Sequence, residues 1–105
     1  MIDIQKLADQ LGLDVEDYTE LIDLYIETTK SDLEDLKTAL VDQDAKEVHR
    51  KSHSIKGSSG NMGLMELYET AKEIDDNARA DNLEGLEDFV LSFSKQFQKL
   101  AQEIA

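Results

Sequence analysis

The stretch 44-DAKEVHRKSHSIKGSSGNMG-63 decides how the whole chain is read. Asp44 followed by Glu47 makes a capping-box-like helix start, and Ala45, Val48, Ser52, Ile55, Ser59 and Met62 then recur at helical spacing as a single stripe. Gly63 stands where a left-handed residue closes a helix. At about 100° per residue, His53 falls roughly 130° from the centre of that stripe and His49 roughly 90° from it. The stretch is therefore predicted to be a helix with one buried face, His53 turned to solvent and His49 at the boundary. Gly57 comes one turn after His53 on the same face and Gly60 lies close beside it, so the surface next to the imidazole is nearly bare. An interior glycine weakens a helix by on the order of 1 kcal/mol relative to alanine, and close approach of a partner gives a reason to keep it.

Working outward, Ile4, Leu7, Ala8 and Leu11 form a short stripe ended by Gly12. Asp14 caps a stripe of Tyr18, Leu21, Ile22, Tyr25, Thr29, Leu33, Leu36 and Leu40, read as one long helix or as two joined near Thr28. Beyond Gly63, Leu64, Leu67, Tyr68, Ala71 and Ile74 mark a further helix. Asn82 is placed to cap a last one carrying Leu86, Phe89, Val90, Phe93, Phe97, Leu100 and Ile104. There is no proline and no strand-like alternation. The expected fold is all-α: an antiparallel up-down-up-down four-helix bundle with a short extra N-terminal helix, one domain over residues 1–105.

The net charge of -13 argues against docking on nucleic acid or anionic lipid and favours protein partners. Without cysteine there is no disulfide, thiolate metal site or thiol nucleophile. No apolar run approaches the ~20 residues of a membrane span and the first residues lack a basic leader, so the chain is expected to be cytoplasmic. His49 and His53 form H-x-x-x-H, but Arg50 stands where a zinc enzyme would have glutamate, and no metal is expected. Serine hydrolase chemistry lacks its strand-turn-helix elbow. Lys46, Arg50, Lys51 and Lys56 put four of the eleven basic residues around His53, enough to hold an anion there. A neutral imidazole is a nucleophile near neutral pH without an added base.

The run His53-Ser54-Ile55-Lys56-Gly57-Ser58-Ser59 with Gly63 resembles the motif of histidine-containing phosphotransfer (HPt) domains, and the helix layout of nearly the whole chain fits them. The resemblance implies a phosphorelay intermediate of two-component signalling that carries a phosphoryl group as phosphohistidine on His53 between receiver-domain aspartates. In such domains the lysine matching Lys56 steadies the phosphoryl group, the glycine matching Gly57 leaves room for the receiver, and Ser58 supports the site. Gly60, Arg50 and His49 complete the expected docking surface, with Ile2, Ile4 and Leu11 as apolar candidates. Partners would be receiver domains of response regulators and hybrid sensor kinases, met by a monomer that needs no cofactor. No intrinsic kinase activity is expected, since there is neither P-loop nor glycine-rich ATP lid. Where several members place a glutamine that fixes the imidazole, this chain has Asp75; as a ring-orienting residue its ionised carboxylate would accept the inner N–H and make the outer nitrogen a better nucleophile, whereas read on its own Asp75 is a surface charge. The alternative from another class is a non-catalytic helical adaptor that binds receivers without turnover.

Overall fold

The computed structural model describes residues 2–104. Five helices follow one another: α1 (Ile4–Gln10), α2 (Val15–Val41), α3 (Ala45–Asn61), α4 (Met65–Arg79) and α5 (Leu86–Ile104). The described residues contain no strand. α3 packs between α2 and α4, and α5 returns against α4 and α2, so consecutive helices close a four-helix bundle. α1 lies on α2 at one end, where Leu7 reaches over the α3–α4 turn at Gly63. Its Ala8 is fully buried. The molecule is elongated, 41 × 22 × 18 Å.

The helix starts follow the sequence. Asp14 Oδ1 accepts from Asp17 N at 2.8 Å and Asp44 Oδ1 from Glu47 N at 3.2 Å, each satisfying an orphan amide of the first turn. The second half of the expected capping box does not form. Asp44 N donates instead to Ala39 O of the preceding helix at 2.9 Å, and the Glu47 carboxylate takes the Arg50 guanidinium. α3 ends at Gly63 (φ 74), with Gly63 N donating to Gly60 O and Leu64 N to Ser59 O, the pair of bonds that satisfies the last carbonyls. α2 and α4 end in the same way, although the left-handed residues there are Gln43 (φ 56) and Asp81 (φ 59).

α2 is one continuous helix, with no glycine or proline near Thr28 to interrupt it. Two expectations are corrected. Asn82 does not cap α5: its Oδ1 accepts from Glu84 N at 3.2 Å and shapes the turn, while the helix begins at Leu86 after Gly85. Leu21 and Phe89, placed in core stripes, are exposed, and Ala39 takes an inward position instead.

The apolar interior is formed by Tyr18, Ile22, Val48, Ile55, Ile74, Leu86 and Phe93 with their neighbours. The hydroxyls of Tyr18, Tyr25, Ser52 and Ser59 within it are paired. Tyr18 OH donates to Met62 O at 2.9 Å, Tyr25 OH lies 2.7 Å from Ser59 Oγ, and Ser52 Oγ donates to Val48 O at 2.7 Å. Burial, with the nearby Tyr25 phenol, pushes the Tyr18 hydroxyl up to about 12, so it stays a donor at any physiological pH. Tyr18→Phe leaves the Met62 carbonyl without this partner and is expected to lower the unfolding free energy by about 1–3 kcal/mol in urea titration.

Candidate functional site

Val48, Ser52, Ile55 and Ser59 turn one face of α3 to the core. This sets His49, His53 and Lys56, at i, i+4 and i+7, along the edge of the helix that borders α4. The His53 side chain is 60 % exposed. Opposite it stands Asp75 of α4, with no solvent exposure at all. The surface-charge reading of Asp75 is thereby overturned, because α4 buries Asp75 together with Ile74 against α3 and leaves the adjacent Asp76 outside, paired with Lys72 at 2.8 Å.

A buried carboxylate must be neutralised and hydrogen-bonded. Asp75 is. Its Oδ1 lies 2.6 Å from His49 Nδ1, while its Oδ2 lies 3.0 Å from Lys56 Nζ, 3.2 Å from His53 Nδ1 and 3.2 Å from the Arg79 guanidinium. The two imidazole rings are tilted against each other with centroids 5.7 Å apart. Burial pushes the Asp75 carboxyl upward, but the hydrogen bonds from Lys56, His53 and His49 and the Lys56 charge outweigh it and hold the group below the usual carboxylate range. Asp75 is therefore ionised and can only accept. It follows that both histidines present Nδ1–H to it, and in the neutral ring the free lone pair of His53 is on Nε2.

The lowered Asp75 carboxyl has a thermodynamic consequence. Its folded value lies below the ordinary 3.8, so its contribution to stability is complete above that pH and disappears as pH falls through the folded value. Unfolding free energy measured in urea is expected to drop more steeply below about pH 4 in the wild type than in Asp75→Asn.

The remaining predicted residues fall into two groups. Gly57 opens on empty space, with nothing within 4 Å of where a Cβ would be. Packing does not require it to be glycine. At Gly60 a Cβ would come within 3.1 Å of the Tyr68 ring, so closeness of α3 to α4 already accounts for that glycine. Ser58 Oγ donates to Ile55 O at 3.1 Å and lies on its own helix backbone. Arg50 is held by Glu47, and Lys51 by Asp32 at 3.5 Å and Asp35 at 3.1 Å on α2. Much of the basic span is thus paired within the bundle.

Leu21 and Leu24 of α2 are exposed by 43 % and 60 %. They precede Asp32 and Asp35 by three turns, about 20° away on the wheel, and so share the α2 face that flanks α3. Of the apolar candidates expected from the sequence, Ile2 and Ile4 are half-buried and Leu11 is exposed. Among the described residues, no helix is long and apolar enough to cross a membrane, and no group of three or more His, Cys, Asp or Glu is arranged to hold a metal ion.

A bundle that presents one exposed histidine beside a bare helix surface, with a lysine one turn away, has the features of a histidine phosphotransfer module. The chain belongs to the Hpt domain family, whose model matches residues 20–105. Its structure is similar to the crystal structure of histidine-containing phosphotransfer protein B (HptB) from Pseudomonas aeruginosa PAO1, with a TM-score of 0.86 and 26 % sequence identity over 98 % of this chain and 90 % of that one. Comparison with curated proteins gives no match. Its role is phosphotransfer through histidine in the phosphorelays of two-component signalling, where Hpt domains work with receiver domains.

Proposed function

We propose that His53 is the residue that carries the phosphoryl group, on Nε2. The observation that supports this is the 60 % exposed ring whose other nitrogen is engaged by a buried, ionised carboxylate at 3.2 Å. The His53 Nε2 lone pair forms the N–P bond while the P–O bond of the receiver's aspartyl phosphate breaks, and the receiver regains its carboxylate. No proton need leave, since Nδ1–H stays on the ring and Asp75 balances the positive charge that the imidazole acquires. Onward transfer reverses these bonds on a second receiver.

Lys56 rests on Asp75 Oδ2 one turn from His53, so a short swing of its ammonium brings it to a phosphoryl oxygen. Ser58 supports the site through its helix backbone. Gly57 admits the receiver's surface, and Arg50 and Gly60 border the approach. Leu21 and Leu24 add an apolar strip on α2 for a receiver helix to cover. Receiver domains of response regulators and hybrid sensor kinases are the partners, met in the cytoplasm by a monomer.

The test is transfer of labelled phosphate from a phosphorylated receiver domain. Label is expected on the wild-type chain in an acid-labile, alkali-stable bond, as a phosphoramidate requires, and not on His53→Gln. A wild-type chain that binds the receiver but takes no label would instead make it an adaptor.

A further inference from the structure

Resting on that reading of His53, we infer that His49 is a positioning residue: through Asp75 it sets the tautomer and orientation of the His53 ring. The docking role assigned to His49 from the sequence does not explain where its ring lies. His49 Nδ1 makes the shortest contact of the site, 2.6 Å to Asp75 Oδ1, shorter than the 3.2 Å from His53 Nδ1 to Oδ2. The 2.6 Å separation is shorter than the roughly 2.7–2.9 Å usual for a charge-assisted nitrogen-to-carboxylate bond.

The division of partners between the two oxygens carries the argument. Among the described residues, His53, Lys56 and Arg79 converge on Oδ2, and His49 is the group on Oδ1. A carboxylate turns about its Cβ–Cγ bond in a broad, roughly two-fold well, and the turn moves both oxygens together, so a close donor held on Oδ1 also restrains Oδ2. The His49 contact, the shorter of the two histidine bonds, thereby helps to fix the plane of the group. With the plane fixed, Oδ2 keeps a lone pair directed at His53 Nδ1, which must then carry the proton.

Remove the His49 donor and Oδ1 is left as an acceptor on a fully buried carboxylate, a costly arrangement that the group relieves by turning toward other donors. His53 then loses the acceptor that favours Nδ1–H. A histidine side chain in water prefers its proton on the outer nitrogen, and that tautomer has no Nε2 lone pair to attack phosphorus. His49 bonds neither the phosphoryl group nor the reacting nitrogen; its polar link to His53 passes through Asp75. Partners that act on a histidine in this indirect way are typically worth roughly 10–100-fold in activity.

NMR of the nitrogen-15-enriched, unphosphorylated protein, combined with transfer kinetics at varied receiver concentration, tests this. In the wild type both His49 and His53 are expected as Nδ1–H tautomers above neutral pH. His49→Ala should shift His53 toward Nε2–H and slow transfer at saturating receiver by roughly tenfold, with the half-saturating receiver concentration unchanged. In His49→Asn the amide nitrogen takes the place of Nδ1, and both readouts should return to within about twofold of wild type.

A wild-type His49 protonated on Nε2 overturns the inference, even if His49→Ala fails to fold. So does a His49→Ala protein whose His53 tautomer is unchanged, or whose loss appears only in the half-saturating concentration, as a docking residue would give. If the wild type accepts no label, the reading of His53 fails, while the tautomers of His49 and His53 still decide whether His49 sets the ring.

Discussion

Glutamine in place of His53 is expected to leave a stable bundle that takes no phosphoryl label. The ring is mostly solvent-exposed and fills no part of the core, so its removal opens no cavity, and the melting temperature should stay within a few degrees of wild type. The chemistry, in contrast, loses its only acceptor of phosphate. An amide nitrogen has its lone pair delocalised into the carbonyl and does not attack phosphorus. His49 does not substitute, because it lies one turn back along α3, away from the bare surface at Gly57, and is less exposed than His53. Label appearing on His53→Gln at the wild-type rate would remove His53 from the relay altogether.

Gly57→Leu should separate stability from function. Nothing lies within 4 Å of the added Cβ, and the position is helical, so exchange for leucine is expected to raise the unfolding free energy by on the order of 1 kcal/mol. The same side chain stands on the otherwise bare surface one turn from His53. It would hold the receiver's phosphorylated aspartate off the imidazole, and a displacement of about 1 Å at the reacting atoms is enough to slow transfer roughly a hundredfold. Thermal unfolding and label transfer, measured on one preparation, should move in opposite directions. A variant that is both more stable and as active as wild type would show that no partner approaches over Gly57. Gly60 gives the contrasting case: leucine there meets Tyr68 and should destabilise the bundle.

Much of this was legible in the sequence, because the signals were local. Asp14 and Asp44 cap helices as their positions indicate, Gly12 and Gly63 end them, and the period of Val48, Ser52, Ile55 and Ser59 places His53 outside. What stayed hidden depends on how helices far apart in sequence pair. Asp75 falls beside the Leu67, Ala71 and Ile74 stripe of α4 and Asp76 opposite it, but a carboxylate at that border reads as a surface charge until the register of α4 against α3, 22 to 26 residues earlier, sets it beneath the two histidines. The same holds for Leu21, apolar and in phase with its stripe, which the packing of α2 leaves exposed. A usable sign was nevertheless present: His49, His53 and Lys56 at i, i+4 and i+7 mark a helix edge of donors that suits a carboxylate such as Asp75.

The carboxylate beneath His53 also bears on how long a load can remain. At rest its charge is offset by the Lys56 ammonium and the Arg79 guanidinium. Once the ring bears a phosphoryl group of roughly -1.5 to -2 charge, that group and the carboxylate compete for the same ammonium, and each is poorer for what the other takes. The anion that helps the imidazole form its bond thus also keeps the loaded state from becoming a resting place, as suits a carrier whose task is to give up what it receives.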